Sequence, residues 1–385
     1  MPTMLSRRAA VLVKLEGSEG IDANPVPNLD AVLVEQPLRV TFSPNVIDTT
    51  EVNPSLDPFD PIVGGMSASI EFDLYLKGSG VAGTAPEWGE MLKACGFAEV
   101  ATIAATPVAP EACAAGGTNK SATLGVGAGA VAQQYRGFPV VLSGANNATS
   151  MIWDYSASKV AKLTDTVTSA IDATTMYQIP PSVVYTPVSN SISSATIWVY
   201  MDGVVYKFTG CRGTCPLNLT SGGPARISFR FMGMYESKTD APLPTTTAYD
   251  ATRPPIWKAG SFTVNSVTAA GQAMTIDPGN NLVMPDNPNS LEGFDPAIIT
   301  ARQIRGTINP KESLVGTRDI MLAFRTQVKQ PLQARLGGVL GNQIGITVPS
   351  ALYLNQTPAD TNGYQTVDVP FHATGLDSGY SIAVF

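Results

Sequence analysis

The sequence predicts an all-β protein with minor helix, and three observations predict it. Charged residues are only 14% of the chain, while Gly 35 and Pro 30 punctuate stretches rich in Val, Thr and Ser. That is the composition of many short strands joined by tight turns. Alternation with period 2 recurs, most clearly in Met66 to Lys77, where Ile70, Phe72, Leu74 and Leu76 alternate with Glu71, Asp73 and Tyr75. Parts of the pattern also occur twice, far apart. The expected architecture is two duplicated β-sandwich or barrel domains, each with a short flanking helix, plus a small inserted β-barrel module.

In chain order, Arg7 and Arg8 precede an apolar run from Ala9 to Leu15 that Lys14 interrupts. The run reads as a first strand, not a secretory segment, and nothing approaches the ~20 apolar residues of a membrane span. No membrane insertion is expected, and a soluble, reducing compartment is. After a turn-rich stretch from Glu16 to Asn28, Val32, Val34, Leu38, Val40 and Phe42 mark a second strand. A long connection from Ser43 to Ile62 then carries Asp48, Glu51, Asp57 and Asp60 with Pro44, Pro54, Pro58 and Pro61. Connections longer than about 12 residues usually bind something, so these four acids and Phe59 are candidate contact residues.

The stretch from Phe59 to Phe97 reads as strand, glycine loop and capped helix. Thr84 with Glu87 makes a capping box, Pro86 suits the first turn and Gly96 a left-handed stop. Trp88, Met91, Leu92 and Cys95 then share one face over about three turns. Thr84, Glu87, Trp88 and Leu92 are its structural residues. Gly78, Gly80 and Gly83, with Glu99 beyond, spell a dinucleotide fingerprint. The preceding strand alternates instead of being apolar on both faces, and no second parallel strand comes after it. No cofactor is expected.

Ala101 to Gly117 is Ala-, Pro- and Gly-rich and reads as a linker. Residues 104–182 read as an inserted β-rich module with strands at Ala130 to Gln134, Pro139 to Leu142, Met151 to Tyr155 and Val160 to Leu163, closed by Pro180 and Pro181. Residues 1–103 and 183–241 then form one discontinuous domain. Its second part holds a hairpin, Ser194 to Tyr200 and Val204 to Phe208, around the type I′ signal Asp202-Gly203. Strands at Thr214 to Leu219 and Ala225 to Tyr235 come next; in the latter Ile227, Phe229 and Phe231 alternate with Ser228, Arg230 and Met232.

Residues 242–258 form a Pro- and Thr-rich linker, and 259–385 a second domain. There TIDPGN from Thr275 answers TFSPN from Thr41, and Phe294-Asp295-Pro296 answers Phe59-Asp60-Pro61, at offsets of 275 − 41 = 234 and 294 − 59 = 235. Asp286, Phe294 and Asp295 are its matching contact candidates. A strand from Ile298 to Ile308 precedes a helix from Arg318 to Gln327 that buries Ile320, Ala323 and Phe324. Further strands run from Ile344 to Leu354 and, past Asn362-Gly363, from Val367 to Ala373, the last paired with Tyr380 to Phe385.

Chemistry is thin. Cys211 and Cys215 are four apart, Cys95 and Cys113 stand alone, and His372 is the sole histidine, so zinc spacing is lacking and buried thiols are expected. No acid/base pair, G-x-S-x-G or triad is recognisable, and His372 reads as structural. A net charge of −7 argues against a grip on nucleic acid.

TAPEWGEMLKACGF after a GSG turn, YTPVSNSISSATIWVYMDGVVYKFTGCRG, the ISFRFMGMYE strand, and GNQIGITVPSALYLN with VPFHATG together resemble the major tail tube proteins of long-tailed bacteriophages. The resemblance covers most of residues 30–100, 183–240 and 260–385; YRGFPVVLSG and MIWDYSASKVAKL resemble a β-barrel module that recurs as an insertion in phage structural proteins. It implies a virion protein, made in the host cytoplasm, whose rings stack into a conduit for genome ejection, with the two candidate loops as contacts to the next ring. Two fused tube domains imply a trimer forming a pseudo-hexameric ring. Implied partners are the chain itself and the tail terminator, distal tail and tape measure proteins, with double-stranded DNA passing through the lumen without specific binding. The other reading is a distal tail or receptor- or carbohydrate-binding β-sandwich protein of the virion, for which Trp153 with Tyr155 is the only local aromatic cluster.

Overall fold

A computed structural model describes residues 4–57 and 59–385; Pro58 of the long connection lies outside them. The chain opens with β1 (Ala9–Leu15), β2 (Ala31–Val32), β3 (Glu35–Ile47), β4 (Ile62–Tyr75), α1 (Gly89–Ala94) and β5 (Phe97–Thr102). An excursion comes next, made of β6 (Thr106–Ala112), β7 (Ala114–Thr118), β8 (Ser121–Thr123), β9 (Pro139–Gly144), β10 (Ala148–Tyr155), β11 (Val160–Leu163) and β12 (Thr175–Ile179). Then come β13 (Ser182–Pro187), β14 (Ala195–Met201), β15 (Gly203–Thr214), β16 (Leu217–Thr220) and β17 (Arg226–Ala241). The last part holds β18 (Ser261–Val264), β19 (Val267–Thr268), β20 (Gly271–Asp277), β21 (Asn280–Val283), β22 (Ile298–Arg302), β23 (Arg305–Pro310) and α2 (Ile320–Arg325). It ends with β24 (Gln330–Leu336), β25 (Ile344–Tyr353), β26 (Thr357–Thr361), β27 (Tyr364–Ala373) and β28 (Ser381–Val384). The protein is all-β with two short helices.

Strand pairing runs β2-β1-β14-β15-β17-β4-β3 before residue 242. After residue 260 it runs β19-β18-β24-β25-β27-β23-β20. In both orders the helix falls, along the chain, between the strand one place from the β3 or β20 end and the strand that pairs with β1 or β18. Alternation drives the first order: on β4 Ile70, Phe72 and Leu74 are buried opposite Phe231, Phe229 and Ile227 of β17. The ring pairs Phe72–Phe229 and Phe72–Phe231 lie 6.0 and 6.1 Å apart. Each such ring buries on the order of 150–250 Å², so this face dominates the packing.

The halves share one core and one ladder. β16 leaves β15 to lie beside β17, and its other edge pairs with β20 from Leu217↔Ile276 to Thr220↔Ala273. The fingerprint glycines serve the same union. Gly78 N–H donates to Asn342 Oδ1 (2.8 Å) and Gly80 N–H to Gly341 O (3.1 Å), and a Cβ on Gly78 would stand 2.0 Å from Gly341 O. They let two turns touch where any side chain would collide.

The excursion forms its own seven-stranded sheet, β6-β12-β9-β10-β11-β8-β7. Its edge strands β6 and β7 are consecutive in the chain, parted only by Cys113, so the sheet curls around a core that includes Leu142, Ile152, Tyr155 and Tyr177. Val184, Ala383 and Phe385 seal that core, and β5 pairs with β13 where the excursion leaves and returns, Thr102 opposite Ser182. It rests on the chain's last part: Thr164 binds Gln333, Thr166 binds the Ser266 carbonyl, and Ser261 Oγ donates to Asp165 Oδ1 (2.9 Å).

Several expectations need correction. α1 starts at Gly89 with Trp88 as N-cap and no side-chain cap bond, so Thr84 and Glu87 form no capping box. Glu87 instead pairs at 3.1 Å with the buried Lys77 ammonium, a stronger demand than a helix end, because an unpaired buried charge is costly. The helix is correspondingly shorter than three turns, although Trp88, Met91, Leu92 and Cys95 are wholly buried and Gly96 is left-handed (φ 84). Ala101 to Gly117 is not a linker but the end of β5 with β6 and β7, the first two held by partners far along the chain and β7 by the adjacent β8. Ala130 to Gln134 is turn, not strand. β28 pairs with β13 and β25, not β27, because β26 and β23 already occupy the edges of β27. Asp202 and Gly203 do take the positive φ of the expected turn (23 and 112).

Candidate assembly surfaces

Four surfaces can carry contacts: two sheet edges, an extended arm and a bare helix. β3, β4, β17, β16, β20, β23, β27 and β26 succeed one another as a single strip, each paired with the next. Its ends, β3 and β26, have one partner strand each among the described residues. An open edge is a row of unpaired N–H and C=O groups, ready to pair with another chain.

One face of the strip is core; the other is polar. Cross-strand neighbours there run Arg39–Glu71–Arg230 and Asp277–Arg305–His372. Between them Thr275 and Thr307 share a 2.7 Å hydroxyl bond. Charges of both signs interleave, so no continuous basic stripe exists for phosphate.

The long connection proves to be the tip of an arm, because β3 and β4 continue pairing out to Ile47↔Ile62. Asp48, Glu51, Asp57, Phe59 and Asp60 are all exposed at this tip. Its order is local: Asn53 Nδ2 donates to Asp57 O (3.0 Å) and Ser55 Oγ to Asp57 Oδ2 (3.0 Å). Val46, Ile47, Ile62 and Val63 line the arm at 50%, 51%, 58% and 69% exposure, an aliphatic ladder in solvent.

The matching connection after β21 differs. Asp286 is exposed, but Phe294 and Asp295 are half-buried, bridged back through Asp286↔Phe294, Asp295 N–H to Pro285 O (2.8 Å) and Asn287 to Asp295 (2.5 Å). The hairpin lies on the chain's own first part. Asn280 Nδ2 donates to Cys95 O (2.8 Å) and Gly213 O (2.9 Å), and Arg302 Nη2 to Gly96 O (2.8 Å) and Val188 O (2.9 Å). Arg212, salt-bridged to Glu19, also donates to Ala297 O (2.6 Å). Glu16 braces this seat by accepting from Gly20 N, Ser194 Oγ, Thr196 Oγ1 and Gly210 N at 2.6–3.0 Å. Sequence reasoning missed Glu16, Arg212, Asn280 and Arg302, whose partners, Gly20 apart, lie 20 to 206 positions away. So the two loops, alike in letters, differ in exposure and in what they bind within the chain.

Among the structural residues of α1, Trp88 donates through Nε1 to Lys77 O (2.8 Å) and lies 5.3 Å from the Tyr185 ring. Burial pushes the Glu87 and Glu90 carboxyls up. All four cysteines are buried and free, and burial raises the thiols of Cys95, Cys113 and Cys211. The aromatic pair wanted for sugar binding is split: Tyr155 is buried with its hydroxyl on Gly129 O (2.5 Å), while Trp153 sits under Lys162.

A fold of paired strands with open edges, an exposed arm and a thinly charged polar face defines an all-β structural protein. The chain belongs to the phage tail tube protein family, whose model matches residues 6–373. Its role is therefore structural, in the phage tail, as a component of the virion. No curated protein matches it. No helix among the described residues is long and apolar enough to cross a membrane.

Proposed function

We propose that the chain polymerises into stacked rings that form the tail tube, with three copies per ring, and that genomic DNA passes through the lumen during ejection. The single observation that carries this reading is the strip with two open ends. Its middle joint, β16 on β20, is a strand pairing between the two halves of one chain. The free edges β3 and β26 occupy the corresponding places at the outer ends, so β26 of one copy can pair with β3 of the next, extending the ladder until it closes.

Internal duplication supports three copies rather than six. The strand orders of the two halves correspond place by place, with helix, hairpin and side branch in the same positions. The excursion 104–182 is then an insertion in the first tube domain and sits outside the strip. The polar face of the strip lines the lumen in this reading. Its interleaved Arg39, Glu71 and Arg230 give DNA no run of cations to hold, so it slides. The tail terminator, distal tail and tape measure proteins are the expected neighbours at tube ends and interior.

Electron microscopy of the purified chain tests the reading. Rings or tubes at raised protein concentration are expected. A chain that remains monomeric at every concentration, even with tail initiator proteins added, contradicts it.

A further inference from the structure

The two helices are alike in form and unlike in cover. Each spans six residues and is succeeded by a cap residue and one left-handed residue, Gly96 (φ 84) or Gln327 (φ 52). The end of α1 lies under the β21–β22 hairpin, with the Ile299 methyl 3.3 Å from where a Gly96 Cβ would stand and Arg302 on the Gly96 carbonyl. The end of α2 has no such cover. Met321, Leu322 and Val328 are 43%, 55% and 52% exposed, and Leu314 and Val315 just before the helix are 83% and 72% exposed.

The first arm has the form of the covering hairpin. Val46↔Val63 and Ile47↔Ile62 correspond to Leu282↔Ile299 and Val283↔Ile298: 282 − 46, 299 − 63, 283 − 47 and 298 − 62 all equal 236. Both hairpins break register immediately before these pairs. At the same offset Asn280 and Arg302, which grip carbonyls in cis, become Pro44 and Met66. The polar clamp is thus exchanged for apolar groups, and the surface around α2 is apolar.

Charge agrees with shape. From Val40 to Leu76 the arm has no Lys or Arg and exposes Asp48, Glu51, Asp57 and Asp60. Around α2 stand Lys311, Arg318, Arg325 and Lys329 against Glu312 and Asp319. Arg325 and Lys329 are exposed and in no ion pair among the described residues. A rim of opposite charges around an apolar centre is how protein interfaces gain register and encounter rate.

We infer that the first arm of each copy docks on α2 of a second copy in the same ring, repeating between copies the contact that the β21–β22 hairpin makes within the chain. This assigns the acidic tip to a lateral neighbour, whereas the sequence alone suggested the next ring. The inference rests on the tube reading but is separable from it.

The test is a chain carrying Val63→Cys and Gln327→Cys, the positions equivalent to Ile299 and Gly96, oxidised after assembly and run without reductant. Lateral docking gives covalent species that end at three chains. A ladder continuing past three places the arm on another ring and overturns the inference. Tubes that assemble without forming this cross-link overturn it while leaving the tube reading intact; failure of the unaltered chain to form rings takes both down. Independently, Arg325→Glu with Lys329→Glu, both in exposed positions, is expected to raise the concentration for half-assembly at least about tenfold. An unchanged assembly curve counts against the docking.

Discussion

α1 and α2 present the same problem with two outcomes. α1 buries Gly89, Met91, Leu92 and Ala94 and carries a hairpin over its end; α2 buries Ile320 and Ala323 and leaves its apolar flank in water. The difference lies in what meets each helix: the β21–β22 hairpin lies on the end of α1, whereas Met321 and Leu322 of α2 stay exposed among the described residues. A surface that looks unfinished in the second unit is finished in the first. That contrast is the ground for the docking proposed between copies.

The comparison can be broken most forcefully at the helices themselves. Trp88→Ala should cost about 3–5 kcal/mol, by loss of a buried indole and the cavity it leaves. Leu322→Ala on the bare face should stay within about 0.5 kcal/mol for the unassembled chain. Urea unfolding of both variants checks this, and a large loss from Leu322→Ala would mean that α2 is covered within the chain. The cis clamp comes next. Arg302→Ala removes donors to the Gly96 and Val188 carbonyls and should cost about 1–3 kcal/mol, by stranding acceptors that are partly buried.

Capping gives a smaller contrast. Asp319 accepts from Leu322 N–H at 2.7 Å, so Asp319→Ala should cost ~1 kcal/mol, whereas Thr84→Ala should be near neutral. The smallest effect is in pH. Burial raises the Glu90 carboxyl above its ordinary 4.5, so the folded chain holds that proton more tightly than the unfolded one. Its contribution to stability is full below 4.5 and is lost as pH rises through the shifted value. Glu90→Gln should therefore gain on the parent between pH 4.5 and 7 in paired thermal melts. A constant difference would remove the proposed linkage.

Patterns that repeat within a few residues were legible in the sequence. The β4 and β17 alternations, the buried face of α1 and the Asp202-Gly203 turn arise from local period and turn chemistry. Features that depended on remote partners were not. Glu87 looked like a helix cap because Lys77, which claims it, lies one loop earlier. The Ala- and Pro-rich residues of β6 carry little strand propensity and owe their form to the distant β12. The two contact loops looked equivalent because their letters match. Their different states depend on Glu16, Gly96 and Arg212, which no spacing rule connects to Asp295. The offsets of 234 and 235 were a partial signal; counted on paired strand residues, they become the constant 236 that links arm to hairpin.

The central claim is that one chain supplies two equivalent places in a ring and that its open edges close on other copies. Image analysis of assembled rings, with mass per ring measured alongside, tests it most directly. The account predicts three chains per ring, with near-sixfold density inside and threefold density where the excursion projects. Six chains per ring would contradict it, because β16–β20 would then not be the model for the joint between copies.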